Sequence, residues 1–490
     1  MRLYRELGID SVAEQYAVVR ALFLRLIGLV YALAFASLWV QVEGLVGSGG
    51  ILPFEVLLDG IRARTGEATW WTLPTLCWID TSDQVLYLLC AVGFAAGLLA
   101  IFGAAPAIVL FIAWICYLSL TVAGQDFFSF QWDILLLEAG FLAWLWSPWT
   151  LLPRWVWHDP PRVVLWLLRI LLFRLMFSSG LVKWLSGDAT WREMTALMYH
   201  YQTQPLPAWT SWFAHQLPNE LQVLCVGVMF AIELLVPFCI FAPRAWRLAG
   251  ALAFVFLQVL IGLTGNYGFF NLLSVVLCLV LLDDRVLARW VRLEPAPGEG
   301  RNWPRGLLWP VAGLLLLLGM LQLSRTARLA WPWPAAVAQI ASWCRPFYLV
   351  NSYGLFAVMT TQRLEIEIEG SVDGESWYPY VFRWKPGAVH LAPAFVQPHM
   401  PRLDWQMWFA ALRSYRDYPW FTQFMGALLQ GKPAVLALLA KNPFPADPPR
   451  FVRARLYEYR FTDLPQWREG YWWHRQDRGL YCPVLSLRGD

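Results

Sequence analysis

The feature that most constrains this 490-residue chain is a succession of nine apolar runs, at roughly 21–40, 84–102, 105–123, 127–146, 164–183, 221–241, 248–264, 269–282 and 307–323. About 20 mostly apolar residues in helical conformation cross the roughly 30 Å of hydrocarbon in a bilayer. The run at 269–282 is short, and reads as tilted, re-entrant or fused to its predecessor. A soluble globular fold is excluded, because 58% of the residues are hydrophobic and only 15% charged, against roughly 25% charged in ordinary soluble domains. Disorder is excluded too, since the formal net charge is only +4 and unfolded chains combine high charge with low hydrophobicity. That mild charge gives no basis for a nucleic-acid partner. The chain reads as a polytopic α-helical membrane protein of about nine spans, with membrane lipid as its first partner. The 31 Trp suit a bilayer interface, where a ring with an apolar body and one N–H meets both solvents.

Basic residues in short loops mark the cytoplasmic side. With the N-terminus inside, the inner segments hold Arg2, Arg5, Arg20, Arg154, Arg162, Arg244, Arg247, Arg285, Arg289, Arg292, Arg301 and Arg305, and the outer loops only Arg62, Arg64 and Arg192. Twelve against three puts the N-terminus in the cytoplasm and everything after the ninth span outside. A signal peptide ending at Ala34-Phe35-Ala36 would carry Glu6, Asp10 and Glu14 in its basic region, which is unlike an export signal, so an uncleaved anchor is expected. Among 38 basic residues only Lys183, Lys385, Lys432 and Lys441 are lysines. That bias points to a bacterial coding sequence.

Hydrophobic density drops after Trp331-Pro332-Trp333-Pro334. The expected division is a helical transmembrane domain over 1–325, a linker over 326–345 and an extracytoplasmic α+β domain over 346–490. Leu364, Ile366 and Ile368 alternate with Glu365, Glu367 and Glu369, a strand with one apolar and one acidic face. Asp373-Gly374 signals a hairpin, and Tyr380, Phe382 and Trp384 supply the alternation of a return strand. A further alternating stretch, 451–461, sets Arg453 and Arg455 on one face, suited to pairing with the acidic strand. Between these strands 402–415 and 419–431 read as amphipathic helices, the second closed by Gly431. A small antiparallel sheet with helices inserted between its strands is expected, and about 140 residues suffice for a core of its own.

Of the eight cysteines, Cys90, Cys116, Cys225, Cys239 and Cys278 fall in spans, and Cys77, Cys344 and Cys482 lie outside. An odd outer set gives no disulfide framework, although one pair among them stays open. The six His are scattered without CxxC or HExxH, so no metal and no cofactor is expected.

Ionisable groups at membrane depth are costly and each calls for a purpose. Asp133, Glu138, Arg169, Arg174 and Glu233 lie within spans. At about 1.5 Å per residue from the outer ends, Glu138, Arg174 and Glu233 lie about 16, 14 and 18 Å deep, near the midplane. The fourth and fifth spans are antiparallel neighbours, so a Glu138–Arg174 pair is expected, with Glu233 sharing the guanidinium. Arg25 and Lys183 read as snorkelling to headgroups. The cluster is either a charge pair that fixes helix register or a polar cavity for a headgroup or proton. On the outer face, the 184–220 loop offers His200, Tyr201, Gln202, Gln204 and His215, and the turn "TGNYGFFN" offers Asn266, Tyr267 and Asn271. Trp405, Trp408 and Phe409 share one amphipathic helix and are candidates either for partner contact or for core packing.

Long phrases in a fixed order, "HYQTQPLP", "TGNYGFFN", "NSYGLFAVMTTQR" running into "IEIEGSVDGESWYPYVFRWKPG", "PHMPRLDWQMWFAAL", "NPFP" and "GYWWHR", resemble the lipase maturation factor family from "GILP" near Gly50 to the C-terminus. The resemblance implies a polytopic protein of the endoplasmic reticulum in animals, whose water-facing C-terminal domain helps secreted lipases fold and assemble. The membrane part is also remotely similar to the group of membrane domains that includes the vitamin K-dependent carboxylase. No catalytic lysine motif of that enzyme is matched, so no catalytic residue is assigned. The chain departs from the animal pattern in having no Asn-x-Ser/Thr acceptor, no retrieval signal after "SLRGD" and almost no Lys. These departures suit a bacterial inner-membrane member with a periplasmic C-terminal domain; a eukaryotic one would sit in the endoplasmic reticulum membrane.

Two classes of function follow. The first is a chaperone-like maturation factor whose outer domain and 184–220 loop bind an incompletely folded exported client such as a lipase, without nucleophile or metal. The second is an intramembrane enzyme acting on a lipid or protein, with Glu138, Arg174, Glu233 and His200 lining an outward cavity. A transporter is weaker than either, since no internal repeat is visible.

Overall fold

The computed structural model describes residues 14–66, 69–151, 159–287 and 302–487. Of the arginines that set the orientation, Arg2, Arg5, Arg154, Arg289, Arg292 and Arg301 lie outside the described residues. Among the described residues, seven helical segments are long and apolar enough to cross a bilayer: α1 (Ala17–Trp39), α2 (Asp83–Phe102), α3 (Pro106–Ala123), α5 (Arg162–Ser186), the segment Asn219–Phe241 that begins with α7 (Asn219–Phe230), α8 (Arg244–Thr264) and α10 (Arg305–Thr326). The other two apolar runs form shorter helices, α4 (Gln131–Trp146) and α9 (Phe270–Cys278), the latter continued to Leu281 by a 3₁₀ turn. Both are largely buried among the longer helices, so neither faces lipid along its whole length and the requirement to span hydrocarbon is relaxed. Two shorter helices are α6 (Leu197–Thr203) and α11 (Ala335–Cys344), the latter following α10 in the chain.

Helices α1 and α2 pack closely against each other. Gly28 and Gly97 allow this: a Cβ on Gly28 would come to 2.7 Å from the Ala100 Cβ, and one on Gly97 to 2.8 Å from the Ala32 backbone nitrogen. Gly93 and Gly97 stand four apart, the small-xxx-small spacing that lets two backbones meet where no hydrophobic gain separates helix from lipid. At the end of α1 that begins the chain, Arg244 and Arg247 meet Glu14 and Asp283, and Arg20 donates to Asn302. At its opposite end Ser37 and Gln41 bond residues 399–402. The basic end of the bundle and the C-terminal domain are therefore at opposite ends.

That domain holds a sheet of β1 (Arg363–Ser371), β2 (Tyr378–Pro379), β3 (Phe451–Phe461) and β4 (Trp473–Leu485), antiparallel throughout, in the order β2-β1-β3-β4. Ile366, Ile368, Val452, Ala454 and Cys482 form a buried layer against helices α12 (Arg402–Ala411) and α13 (Pro419–Leu429). The expected return strand is cut to two residues. Pro379 has no N–H, Val381 turns to bond Lys441, and the Trp384 and Lys385 N–H groups both donate to Asp404 Oδ1 at 2.9 Å. Phe382 and Trp384 thus leave the sheet.

On the charged face Arg453 meets Glu369 at 2.6 Å, whereas Arg455 pairs with Asp477 of β4 and Glu367 with Arg475. The expected pairing with the acidic strand holds for Arg453 only, because β4 carries charges that sequence periodicity had not assigned to a strand. Cys77, Cys344 and Cys482 are all unpaired thiols.

Candidate functional site

The five ionisable residues of the spans do not form one cluster. Asp133 opens α4 and receives Arg402 from the C-terminal domain in a two-pronged contact of 2.6 and 2.8 Å, with both side chains at most 1% exposed. Arg402 also donates to the Phe127 carbonyl at 2.7 Å and stacks 3.8 Å over the Phe128 ring, while the Tyr117 hydroxyl donates to Asp133. Glu138, about one and a half turns further along α4, pairs with Arg174 of α5 at 2.6 Å, as the antiparallel packing suggests. Its second oxygen accepts from the Asn351 N–H and side-chain amide and from Tyr353, so the chain entering the C-terminal domain is tied to the same carboxylate.

Glu233 does not share Arg174. It pairs with Lys183, whose ammonium lies 2.9 and 2.8 Å from its two oxygens. Lys183 is thus a buried partner rather than a snorkelling side chain. Two local features direct this. Pro237 has no N–H to return to the Glu233 carbonyl, and the helix passes there through a π turn at Ala231–Leu235 into 3₁₀ geometry. Gly180 lets that turn approach α5, since a Cβ at Gly180 would come to 2.9 Å from the Glu233 Cβ. Arg169 is separate again: it donates to the Val280 carbonyl and the Tyr16 hydroxyl and lies over Trp166.

The residues expected on the outer face do converge, yet mostly as the seat of the C-terminal domain. The Gln202 and Gln204 carbonyls, with that of Pro205, accept from Arg363, and the Gln202 side chain accepts from the Phe461 N–H. Asn266 clamps the 394–397 segment, donating to the Ala394 carbonyl and accepting from Val396 N–H at 2.7 Å. His215 lies against Phe461. Trp405 and Trp408 are buried, Trp405 edge-on to Trp132 and Tyr267 and Trp408 donating to the Thr203 carbonyl; Phe409 packs on both. These three are docking residues of the domain, which removes them as exposed partner contacts.

His200, Tyr201, Tyr267 and Asn271, together with Lys183 and Glu233, line a cavity of about 290 Å³ between α5, α6, α7, α8 and α9. Glu138 and Arg174 are not among its walls. Lys183, Gln258 and the cavity itself were not legible in the sequence, because they are set by which faces of five helices meet. The only signals were Pro237 in a span and Gln258 in an otherwise apolar helix.

The hydrogen-bond order in the wall is determined. Gln204 Nε2 donates to the Thr264 carbonyl at 2.6 Å, which leaves its oxygen to accept from the Tyr267 hydroxyl at 2.8 Å. Tyr267 oxygen then accepts from His200 Nε2 at 3.1 Å, fixing the neutral tautomer with Nδ1 as a bare acceptor. Burial, helped by the Lys183 charge, pushes the His200 imidazole down to about 4.

A many-helix membrane domain carrying a docked α+β domain on one end defines a multi-pass membrane protein. Residues 18–289 match the lipase maturation factor transmembrane domain and residues 349–483 the lipase maturation factor C-terminal domain. The chain is 36% identical to lipase maturation factor 2 of Gallus gallus, covering 96% of this chain and 82% of the relative. It is 37% identical to lipase maturation factor 2 of Homo sapiens (96% and 83%) and 34% identical to lipase maturation factor 1 of Bos taurus (97% and 91%). The protein belongs to the lipase maturation factor family. No solved structure matches it.

Proposed function

We propose that this protein is a membrane-held maturation factor that binds an incompletely folded exported client, a lipase or a protein of similar fold, on the end of the bundle carrying the C-terminal domain. The observation that carries the reading is the match of both domains, nearly end to end, to proteins named lipase maturation factors. The distribution of arginines supports a cytoplasmic basic end and an extracytoplasmic C-terminal domain, periplasmic in a bacterium.

The surface suited to a client is the outer edge of the sheet. β4 runs 13 residues and, among the described residues, is paired on one side only, with β3. Leu480 and Val484 stand exposed on it, Leu480 at 58%. An unpaired edge with apolar side chains takes up an extended segment by strand addition. The test is photo-crosslinking from position 480 in the full-length protein in its native host. Recovery of exported proteins, lost when the neighbouring exposed Val484 is changed to Arg while the thermal midpoint is unchanged, is the expected result. A crosslink spectrum containing no exported protein overturns the proposal.

A further inference from the structure

The 290 Å³ cavity has a chemistry that the maturation role does not require. Its walls are mostly apolar, from Leu175, Leu197, Met229, Leu257 and Ile261 among others. It also reaches the lipid-facing surface. Leu217 and Leu260 line the cavity and are 37% and 44% exposed on the outside of the bundle. The opening lies between α7 and α8, which are packed together near their connection, where Gly250 meets Cys239, and scarcely along α7 itself.

The polar groups inside are specific. Asn271 is 5% exposed, its amide nitrogen donates to Gln258 Oε1 at 2.8 Å, and its Oδ1 has no hydrogen-bond partner. The orientation of that pair follows from Met176, whose sulfur lies 3.8 Å from Gln258 Nε2: a thioether accepts weakly and repels a carbonyl oxygen. His200 Nδ1 is likewise buried and unpartnered. Both orphaned atoms are acceptors, and a buried acceptor left unsatisfied is destabilising. A ligand that completes the site must donate to them; a quinone or an ester carbonyl alone brings the wrong polarity.

Charge narrows the class further. Lys183 spends its ammonium on Glu233 and the Ser179 carbonyl, so the cavity holds one cation and one anion in a closed pair. A carboxylate, phosphate or ammonium head would enter as an uncompensated buried charge, which the low-dielectric interior opposes. We infer that the cavity is a binding site for a neutral, hydroxyl-headed lipid of the acylglycerol type, entering sideways from the bilayer between α7 and α8 with its hydroxyls on Asn271 Oδ1 and His200 Nδ1 and its chain along the leucine wall.

The experiment uses the full-length protein in phosphatidylcholine nanodiscs containing a 1-acylglycerol with a diazirine in its chain. Matched diazirine probes are the free fatty acid and phosphatidylcholine. The expected result is acylglycerol labelling of peptides within 217–229 and 257–264, suppressed by excess unlabelled 1-oleoylglycerol. Labelling falls at least tenfold in Asn271→Leu, and also in Leu260→Trp, whose change lies at the exposed mouth and leaves the buried hydrogen bonds intact. Equal labelling by the phosphatidylcholine probe means annular lipid only, stronger labelling by the fatty acid means an anionic ligand, and undiminished labelling in Leu260→Trp means no lateral entry; each overturns the inference. Client crosslinking from position 480 reads the maturation role separately.

Discussion

Replacing Arg402 by Met tests whether the C-terminal domain is held to the membrane domain by a buried charge pair rather than by contact area. In the native protein the guanidinium meets both Asp133 oxygens at 2.6 and 2.8 Å with at most 1% exposure of either side chain. Met fills most of the volume but leaves the Asp133 carboxylate with the Tyr117 hydroxyl as its remaining side-chain donor. Removing one partner of a buried pair costs about 3–5 kcal/mol, mostly the desolvation of the group left behind. If that cost falls on docking, the opening equilibrium of α12 rises by roughly a hundred- to several-thousand-fold. Amide exchange of residues 402–411 in nanodiscs, measured by mass spectrometry, reads this directly. Asp133→Leu with Arg402→Met removes both charges and restores protection to within about tenfold, since an apolar replacement of a buried pair is often near neutral. Exchange in Arg402→Met within threefold of wild type, or a double variant as open as the single, refutes the reasoning.

Other consequences follow from single contacts. Gly180→Val places a side chain where the Glu233 Cβ and Leu234 already sit at 2.9 Å; separating the helices breaks the Lys183–Glu233 pair, and a fall in thermal midpoint of several degrees is expected by light scattering in detergent, with Gly180→Ala intermediate. Asp404 is buried, which raises its carboxyl from the usual range to about 6 despite the two N–H groups it accepts. The folded state therefore keeps a proton that the unfolded chain has lost between about pH 4 and 6, so stability falls as pH rises through that window, by about 3 kcal/mol. Asp404→Asn removes the slope and raises the midpoint above pH 6; an unchanged pH profile in that variant counts against the assignment. Gln204→Ala removes the acceptor that orients Tyr267, and acylglycerol labelling of the cavity is expected to fall several-fold while α12 exchange is unchanged.

The bundle was legible because the signal is solvent matching: a run such as 84–102 has one compatible environment, and α2 over Asp83–Phe102 fills it. The strands β1 and β3 were legible for a related reason, since period-two alternation in 363–371 and 451–461 survives only where one face is apolar. β4 escaped because His474, Arg475, Gln476, Asp477 and Arg478 have no apolar alternation of their own; pairing with β3 makes that segment a strand. The Glu138–Arg174 pair could be read from chain order, because two antiparallel neighbours joined by a short connection put equal depths side by side. The partner of Asp133 could not, since Arg402 lies 269 residues away in another domain.

Sequence alone determined the solvent of each segment, the separation of the basic end from the C-terminal domain, and the family. These follow from composition and local order, which act residue by residue. Tertiary structure decided which buried charge meets which, that Trp405 and Trp408 serve docking, and that His200 and Asn271 face a common cavity with the Lys183–Glu233 pair. Those outcomes depend on the rotation of each helix about its axis and on its approach to its neighbours. A glycine at 180 and a proline at 237 bias both, but only the packed assembly determines them.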